Sequence, residues 1–115
     1  MDNKEKKHLF DILSSIEEIE LFLSVREKRY DTFCEDLCFR RAVERNLEIM
    51  GEAMSRILKE DATVKITNAR KIVDTRNYVI HGYDSLALDI LWSIVVNHLP
   101  LLKKEVLMLL ENRVA

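Results

Sequence analysis

Apolar residues recur near the start of the chain at Leu9, Ile12, Leu13, Ile16, Ile19, Phe22 and Leu23. Steps of three and four place them on one side of a helix, so the spacing predicts an amphipathic helix from about Asn3 to Val25. The charged run Arg26-Glu27-Lys28-Arg29 interrupts the period and predicts a turn. Asp31 or Thr32 then supplies an N-cap, with Glu35 and Asp36 as acids in the opening turns. Phe33, Leu37, Val43, Leu47, Met50, Met54 and Ile57 follow, largely in fours and threes. They predict a second helix of roughly 25 residues whose heptad-like seam wants a partner helix along its length. Its opposite side carries Arg40, Arg41, Glu44, Arg45 and Glu48. That mix reads as a solvated face with intrahelical ion pairs, a nucleic-acid surface being the competing reading. Gly51 is unfavourable in mid-helix, and close approach of another backbone explains it.

Lys59 to Lys65 is polar and loses the period, which predicts the main loop. Thr67 is placed to cap a third helix from near Asn68, and Gly82 to end it. Asp84 or Ser85 caps a fourth helix that turns Leu91, Val95, Leu102, Val106 and Leu109 toward the core. Pro100 lacks the N–H that would bond Val96, so a kink or break is expected there. Strand-like alternation and repeats are missing from the pattern. The expected fold is all-α, an up-and-down bundle of four to five helices forming one domain over residues 1–115.

Composition supports that reading and narrows the chemistry. A chain of 115 residues has room for one hydrophobic core. Glycine and proline together number only three, which suits long helices with few turns. A net charge of −2 sets up no global field toward nucleic acid or anionic lipid, so any polyanion binding must come from a local cluster. Cys34 and Cys38, four apart within a helical pattern and without a second pair, read as reduced thiols rather than a disulfide or zinc site. Glu5 and His8 form a Glu-x-x-His pair, but the second copy and extra glutamates of a dimetal bundle are missing, so both read as solvated. No metal or cofactor is expected. The charged segment Met1 to His8 leads into no signal-like apolar region. Ser93, Asn97, His98 and Pro100 break the apolar stretch from Ile90 to Leu102, leaving it short of the ~20 residues a membrane span needs. The expected location is the cytoplasm, away from any membrane.

Candidate chemistry concentrates in Arg76-Asn77-Tyr78-Val79-Ile80-His81-Gly82-Tyr83, which holds a guanidinium, an amide, an imidazole and two phenols. At about 100° per residue, Ala69, Val73, Arg76, Ile80 and Tyr83 form one stripe flanked by Ile72 and Val79, with Arg76 in its apolar middle. A permanent charge there needs a carboxylate such as Glu52 or Asp74, a dipole, or a neighbouring subunit. His81 is about 140° around an ideal helix from Arg76, so a regular helix keeps the two apart. Either the helix unwinds near Gly82, or a second copy brings its own pair across a two-fold axis. Alternatively His81 is simply a favourable charge at a helix C-terminus, and Tyr83 a half-buried aromatic on the stripe.

The order Arg76, Asn77, three residues, His81, one residue, Tyr83 resembles the motif of the HEPN superfamily in its HepT branch. Arg41-Ala42-Val43-Glu44-Arg45-Asn46-Leu47-Glu48-Ile49-Met50-Gly51-Glu52-Ala53 resembles that branch's second-helix signature, and Trp92 with Leu99-Pro100 its last helix. The segment Val64 to Ile66 departs from the proline and tryptophan that many relatives carry before the third helix.

The resemblance implies an all-helical homodimer, encoded beside an MNT-type minimal nucleotidyltransferase antitoxin and acting as the endoribonuclease toxin of a type VII toxin–antitoxin pair. It also implies that Arg76 and His81 are catalytic, that Asn77 supports them, and that Tyr83 accepts nucleotide groups that silence the enzyme. The chemistry is sensible for metal-independent RNA cleavage. An imidazole with an ordinary pKa of about 6.5 suits proton transfer, and a guanidinium fork suits a charged phosphorane. A nucleotide phosphate on Tyr83 would compete with RNA for Arg76. The near-neutral charge favours the other reading, a catalytically silent helical subunit of a nucleotidyltransferase complex.

Overall fold

A computed structural model describes residues 3–81 and 84–114, and among them every regular element is helical. The all-α expectation is met. Helix α1 spans Asn3–Ser24 and buries Leu9, Ile12, Ile16 and Ile19, the predicted stripe. Its end is fixed by Arg26, whose guanidinium bonds the Phe22 carbonyl at 3.2 Å and the Asp36 carboxylate at 3.1 Å. The same guanidinium lies 5.1 Å over the Phe39 ring, which ties the close of the first helix to the start of the next long one.

The predicted second helix is two helices. A short α2, Tyr30–Glu35, ends at Asp36, and α3 runs Leu37–Glu60. The capping residue is therefore Asp36 rather than Asp31 or Thr32. Its backbone is extended, and its Oδ1 accepts the Phe39 N–H at 3.1 Å. That N–H, followed by the Arg26 hydrogen bond, holds the Asp36 carboxyl below its ordinary pKa. Restarting the helix resets its register. Leu37 is left 53% exposed, and Phe39 fills the core position instead. Phe33 packs edge-on to Phe39 at 6.1 Å and stacks on Trp92 at 5.3 Å, fastening α2 to the last helical run. Tyr30 adds a polar link there, its phenol pushed well above the usual range by a hydrogen bond with Asp89 and then by one with Cys34.

Beyond Phe39, α3 buries Val43, Leu47, Met50, Met54 and Ile57 as the seam predicts. It lies antiparallel to α1: Asn46 bonds Glu18 at 3.3 Å near one end, while residues 4–8 of α1 meet residues 56–60 of α3 at the other. After the loop 61–68 come two short helices, α4 (Ala69–Val73) and α5 (Thr75–Ile80). Thr67 does not cap α4. Its N–H and hydroxyl both bond Glu105, pinning the loop to the C-terminal helix, and Asn68 enters α4 in the left-handed region at φ 59°.

Asp84 caps α6 (Ser85–Ser93), its Oδ1 accepting the Leu86 N–H at 2.9 Å. A π-helical turn, Ile94–His98, joins α6 to α7 (Leu99–Val114). Pro100 therefore neither breaks nor ends the run. The chain widens just ahead of it, with the Leu99 N–H reaching back five residues to the Ile94 carbonyl. Because the helix continues, Leu86–Glu111 is long and apolar enough to cross a membrane by length and composition, contrary to the expectation from its polar interruptions. Its apolar residues are nonetheless used internally: Leu88, Leu91, Ile94, Val95, Leu99, Leu102, Val106 and Leu110 belong to the core with α1 and α3. A Lys103–Glu20 pair at 2.8 Å closes the α1–α7 seam.

Candidate functional site

The motif rests on the α4–α5 pair, and α3 determines where that pair sits. A Cβ added at Gly51 would meet the Ile72 carbonyl oxygen at 3.1 Å, the Thr75 hydroxyl at 3.2 Å and the Val73 carbonyl oxygen at 3.4 Å. Gly51 is there because another backbone comes close, as its mid-helix position suggests. Thr75 is fully buried, and its hydroxyl lies 2.7 Å from the Ile72 carbonyl and 3.2 Å from the Leu47 carbonyl. A buried hydroxyl needs such partners, and back-bonding of this kind competes with the regular helix ladder. The chain accordingly breaks at Asp74.

That break corrects the expected stripe. Thr75 is buried and Tyr78 and Val79 are half-buried, whereas Arg76, Asn77 and Ile80 are exposed, Ile80 at 68%. Arg76 is thus on the outer side of α5 in one copy of the chain, not amid its buried residues. The suggested partner Glu52 pairs instead with Arg56 at 2.9 Å. Among the described residues the Arg76 guanidinium has no ion pair, so its donors are available to an anion.

His81 is exposed and caps the C-terminus of α5. Its φ of −100° and ψ of 28° depart from helical values, so the idealised 140° separation from Arg76 does not carry over unchanged. The Asp84 N–H bonds the His81 carbonyl at 2.9 Å and closes a turn. Gly82, the expected helix terminator, and Tyr83, the expected acceptor, lie outside the described residues. The helix itself ends at Ile80.

The sequence pattern missed what lies beneath this end of α5. Glu44, expected on a solvated face, is buried. One of its oxygens accepts Arg41 at 2.8 Å, and Oε2 has no partner among the described residues. Neighbouring Arg40 donates to the Cys34 carbonyl at 2.9 Å while its Nε is buried without a partner. Glu44 is seven residues from Gly51, so both belong to one face of α3. With Ile72 against Gly51 and Thr75 against Leu47, α5 advances along α3 toward the level of Glu44. Arg41 and Arg45 of the same predicted face remain exposed. Glu44 is buried on the face of α3 that also carries Gly51, and no periodicity within α3 announces it.

Metal chemistry has no cluster of three or more histidine, cysteine or carboxylate residues to build on among the described residues. The second unusual imidazole is His98 in the π-helical turn, held below its ordinary pKa by burial and then by the charge of Lys71. It belongs to the α4–α7 junction rather than to the motif.

With this geometry the comparison with known proteins can be made. The family model for HepT-like ribonucleases matches residues 12–109, which include all of α3, α4, α5 and the motif. The chain belongs to the HepT-like ribonuclease family. A candidate RNase of Methanocaldococcus jannaschii is 38% identical over 103 residues, covering 88% of this chain and 92% of that protein. Thermococcus cleftensis has a protein bearing the name probable ribonuclease HepT, 34% identical over 104 residues, covering 90% of this chain and 93% of that one. Another M. jannaschii candidate RNase is 33% identical over 94 residues, covering 80% and 75% respectively. No solved structure matches the chain.

Proposed function

We propose that this chain is a metal-independent endoribonuclease, the toxin of a type VII HEPN/MNT toxin–antitoxin system, working in the cytoplasm as a single-domain subunit of a homodimer. The observation that carries the reading is an arginine without an ion pair among the described residues, exposed on a six-residue helix that ends on an exposed histidine, in a chain of this family. Arg76 holds a non-bridging phosphate oxygen and stabilises the charge that builds on phosphorus during cleavage. His81 takes the proton of the attacking 2′-hydroxyl or returns one to the leaving oxygen. Asn77, exposed beside Arg76, orients the phosphate. Exposed Ile80, Leu86 and Leu37 give a second copy apolar surface to cover at this end of the molecule. Across a two-fold axis, Arg76 of one copy and His81 of the other then share one RNA phosphate.

Regulation follows from Tyr83, two residues beyond His81. An MNT-type nucleotidyltransferase antitoxin transfers a nucleotidyl group from a nucleoside triphosphate to its hydroxyl, releasing pyrophosphate and the phenolic proton, and the added phosphate occupies Arg76 and blocks RNA. The net charge of −2 favours a second reading, a catalytically silent helical subunit of a nucleotidyltransferase complex. Expression in a host lacking the neighbouring gene separates the two. The toxin reading expects growth arrest that Arg76→Ala relieves, with nucleotide mass on Tyr83 when the neighbour is co-expressed. Unaffected growth with intact, abundant protein would favour the silent subunit.

A further inference from the structure

On the flank of α3 away from α5, the N-terminal half of α1 and the C-terminal half of α3 enclose two adjoining hollows of about 250 and 400 Å³. Lys7, His8 and Arg56 line both, Lys4 and Lys59 extend the second, and Arg45 stands at the far end of the first. Together with the carboxylates Asp11, Glu52 and Glu60, the lining holds five permanent cations against three acids. This local excess of positive charge is set in a chain whose net charge is −2. From Arg45 to Lys59 the groove follows about 21 Å of helix, room for several successive phosphates.

We propose that this α1–α3 groove holds the phosphate backbone of single-stranded RNA and leads it to the cleavage site; the proposal rests on the ribonuclease reading above. Three features favour a nucleic-acid backbone over a protein partner. Lys4 and Lys59 have no ion pair among the described residues, and Arg45 reaches Glu48 only at 3.9 Å, so their charge is available. Lys7–Asp11 and Arg56–Glu52, each at 2.9 Å, are exposed surface pairs that contribute little to stability and are readily exchanged for phosphate. Among the described residues no phenylalanine, tyrosine or tryptophan lines either hollow, which removes the usual anchor of a protein interface and leaves mainly backbone contacts.

Continuity with the site comes from α3. Arg41 is one turn before Arg45, and both side chains are well exposed, at 63% and 72%. They extend the positive row toward the N-terminal half of α3, the level that α5 approaches. Arg41 also grips buried Glu44 beneath it, which fixes the base of its side chain. In this proposal a strand leaving the groove along this row passes around α3 to reach Arg76 and His81.

The test uses a labelled 20-nucleotide single-stranded RNA of mixed sequence and the full chain carrying His81→Ala, so that binding is read without cutting. Fluorescence anisotropy is measured over a salt series with and without Lys4→Glu and Lys59→Glu together, two exposed positions with no role at the motif. The expected result is at least tenfold weaker binding at moderate salt, with the slope of log K against log salt reduced by about 1.4, two contacts at ~0.7 each. An unchanged melting temperature shows that the fold is intact. Equal affinity and slope in the two proteins would overturn the groove while leaving the ribonuclease reading standing. Equal RNA affinity with loss of binding to an acidic protein would overturn it too, in favour of a protein surface. If the unmodified chain neither binds nor cuts RNA, the ribonuclease reading fails and the groove proposal fails with it.

Discussion

The three long helical runs and the two short helices α4 and α5 solve different problems. In α1, α3 and α6–α7 the buried positions are held mainly by aliphatic or aromatic side chains, with Ser15, Glu44 and Asn46 the polar exceptions among the described residues. In α5 the pattern differs: a threonine is buried, while an arginine and an isoleucine face outward. The long helices are arranged for burial. The short ones dock through Ile72, the Thr75 hydroxyl and the close approach at Gly51, which leaves the outer face of α5 free to carry chemistry.

Core damage should separate the two regions most clearly. Phe39→Ala removes a buried ring that Phe33 packs against and Arg26 covers, and is expected to cost about 3–5 kcal/mol in urea unfolding. Arg76→Ala should do the opposite. Its exposed side chain predicts stability within about 0.5 kcal/mol of the parent, while RNA cleavage falls by about 10²–10³-fold in single-turnover assays. If Arg76→Ala melted markedly earlier, the contrast between the regions would be lost.

Gly51→Ala probes the joint between them. The new Cβ presses on backbone carbonyls that cannot rotate aside, and overpacking of about 1–3 kcal/mol outweighs the ~0.5–1 kcal/mol gain in helix propensity. A net loss of about 1 kcal/mol is expected, with a drop in cleavage because α4 and α5 shift together. Increased stability with full activity would show that the close approach is slack.

The smallest effect concerns pH. Burial and Lys71 keep His98 below its ordinary pKa of 6.5. As pH falls the unfolded chain takes up this proton first, so the stability contributed by the neutral imidazole is intact above about pH 6.5. It then declines as pH falls from there through the lower folded pKa. Urea midpoints between pH 7.5 and 5 should fall more steeply in the parent than in His98→Gln; parallel slopes would remove His98 from the account.

What the sequence made legible follows the same division. Leu9 to Ile19 and Val43 to Ile57 repeat with helical spacing because one large apolar face must be buried, and Asp84 caps a helix by purely local bonding. Even the close approach at Gly51 has a sequence signal, since glycine is unfavourable in mid-helix without such a cause. The breaks were harder to read. The expected caps Asp31 and Thr32 stand within five residues of Asp36, and only the reach of Arg26 across from α1, together with the Phe39 N–H, distinguishes the one used. At Asp74 the interruption goes with the Leu47 carbonyl accepting from the Thr75 hydroxyl, a contact 28 residues distant in the chain. Glu44 was misplaced because its charge suggested a solvated face, whereas it is buried. The motif residues were found by their order, but their outward orientation depends on the break that no spacing revealed.

The central claim is that His81 and Arg76 cut RNA without a metal. Its most direct measurement incubates cellular RNA with the purified, partner-free chain in EDTA, beside a His81→Ala form of equal melting temperature. The account predicts fragmentation by the parent and intact RNA with the variant. Intact RNA in both reactions, or equal cutting by both proteins, would contradict it.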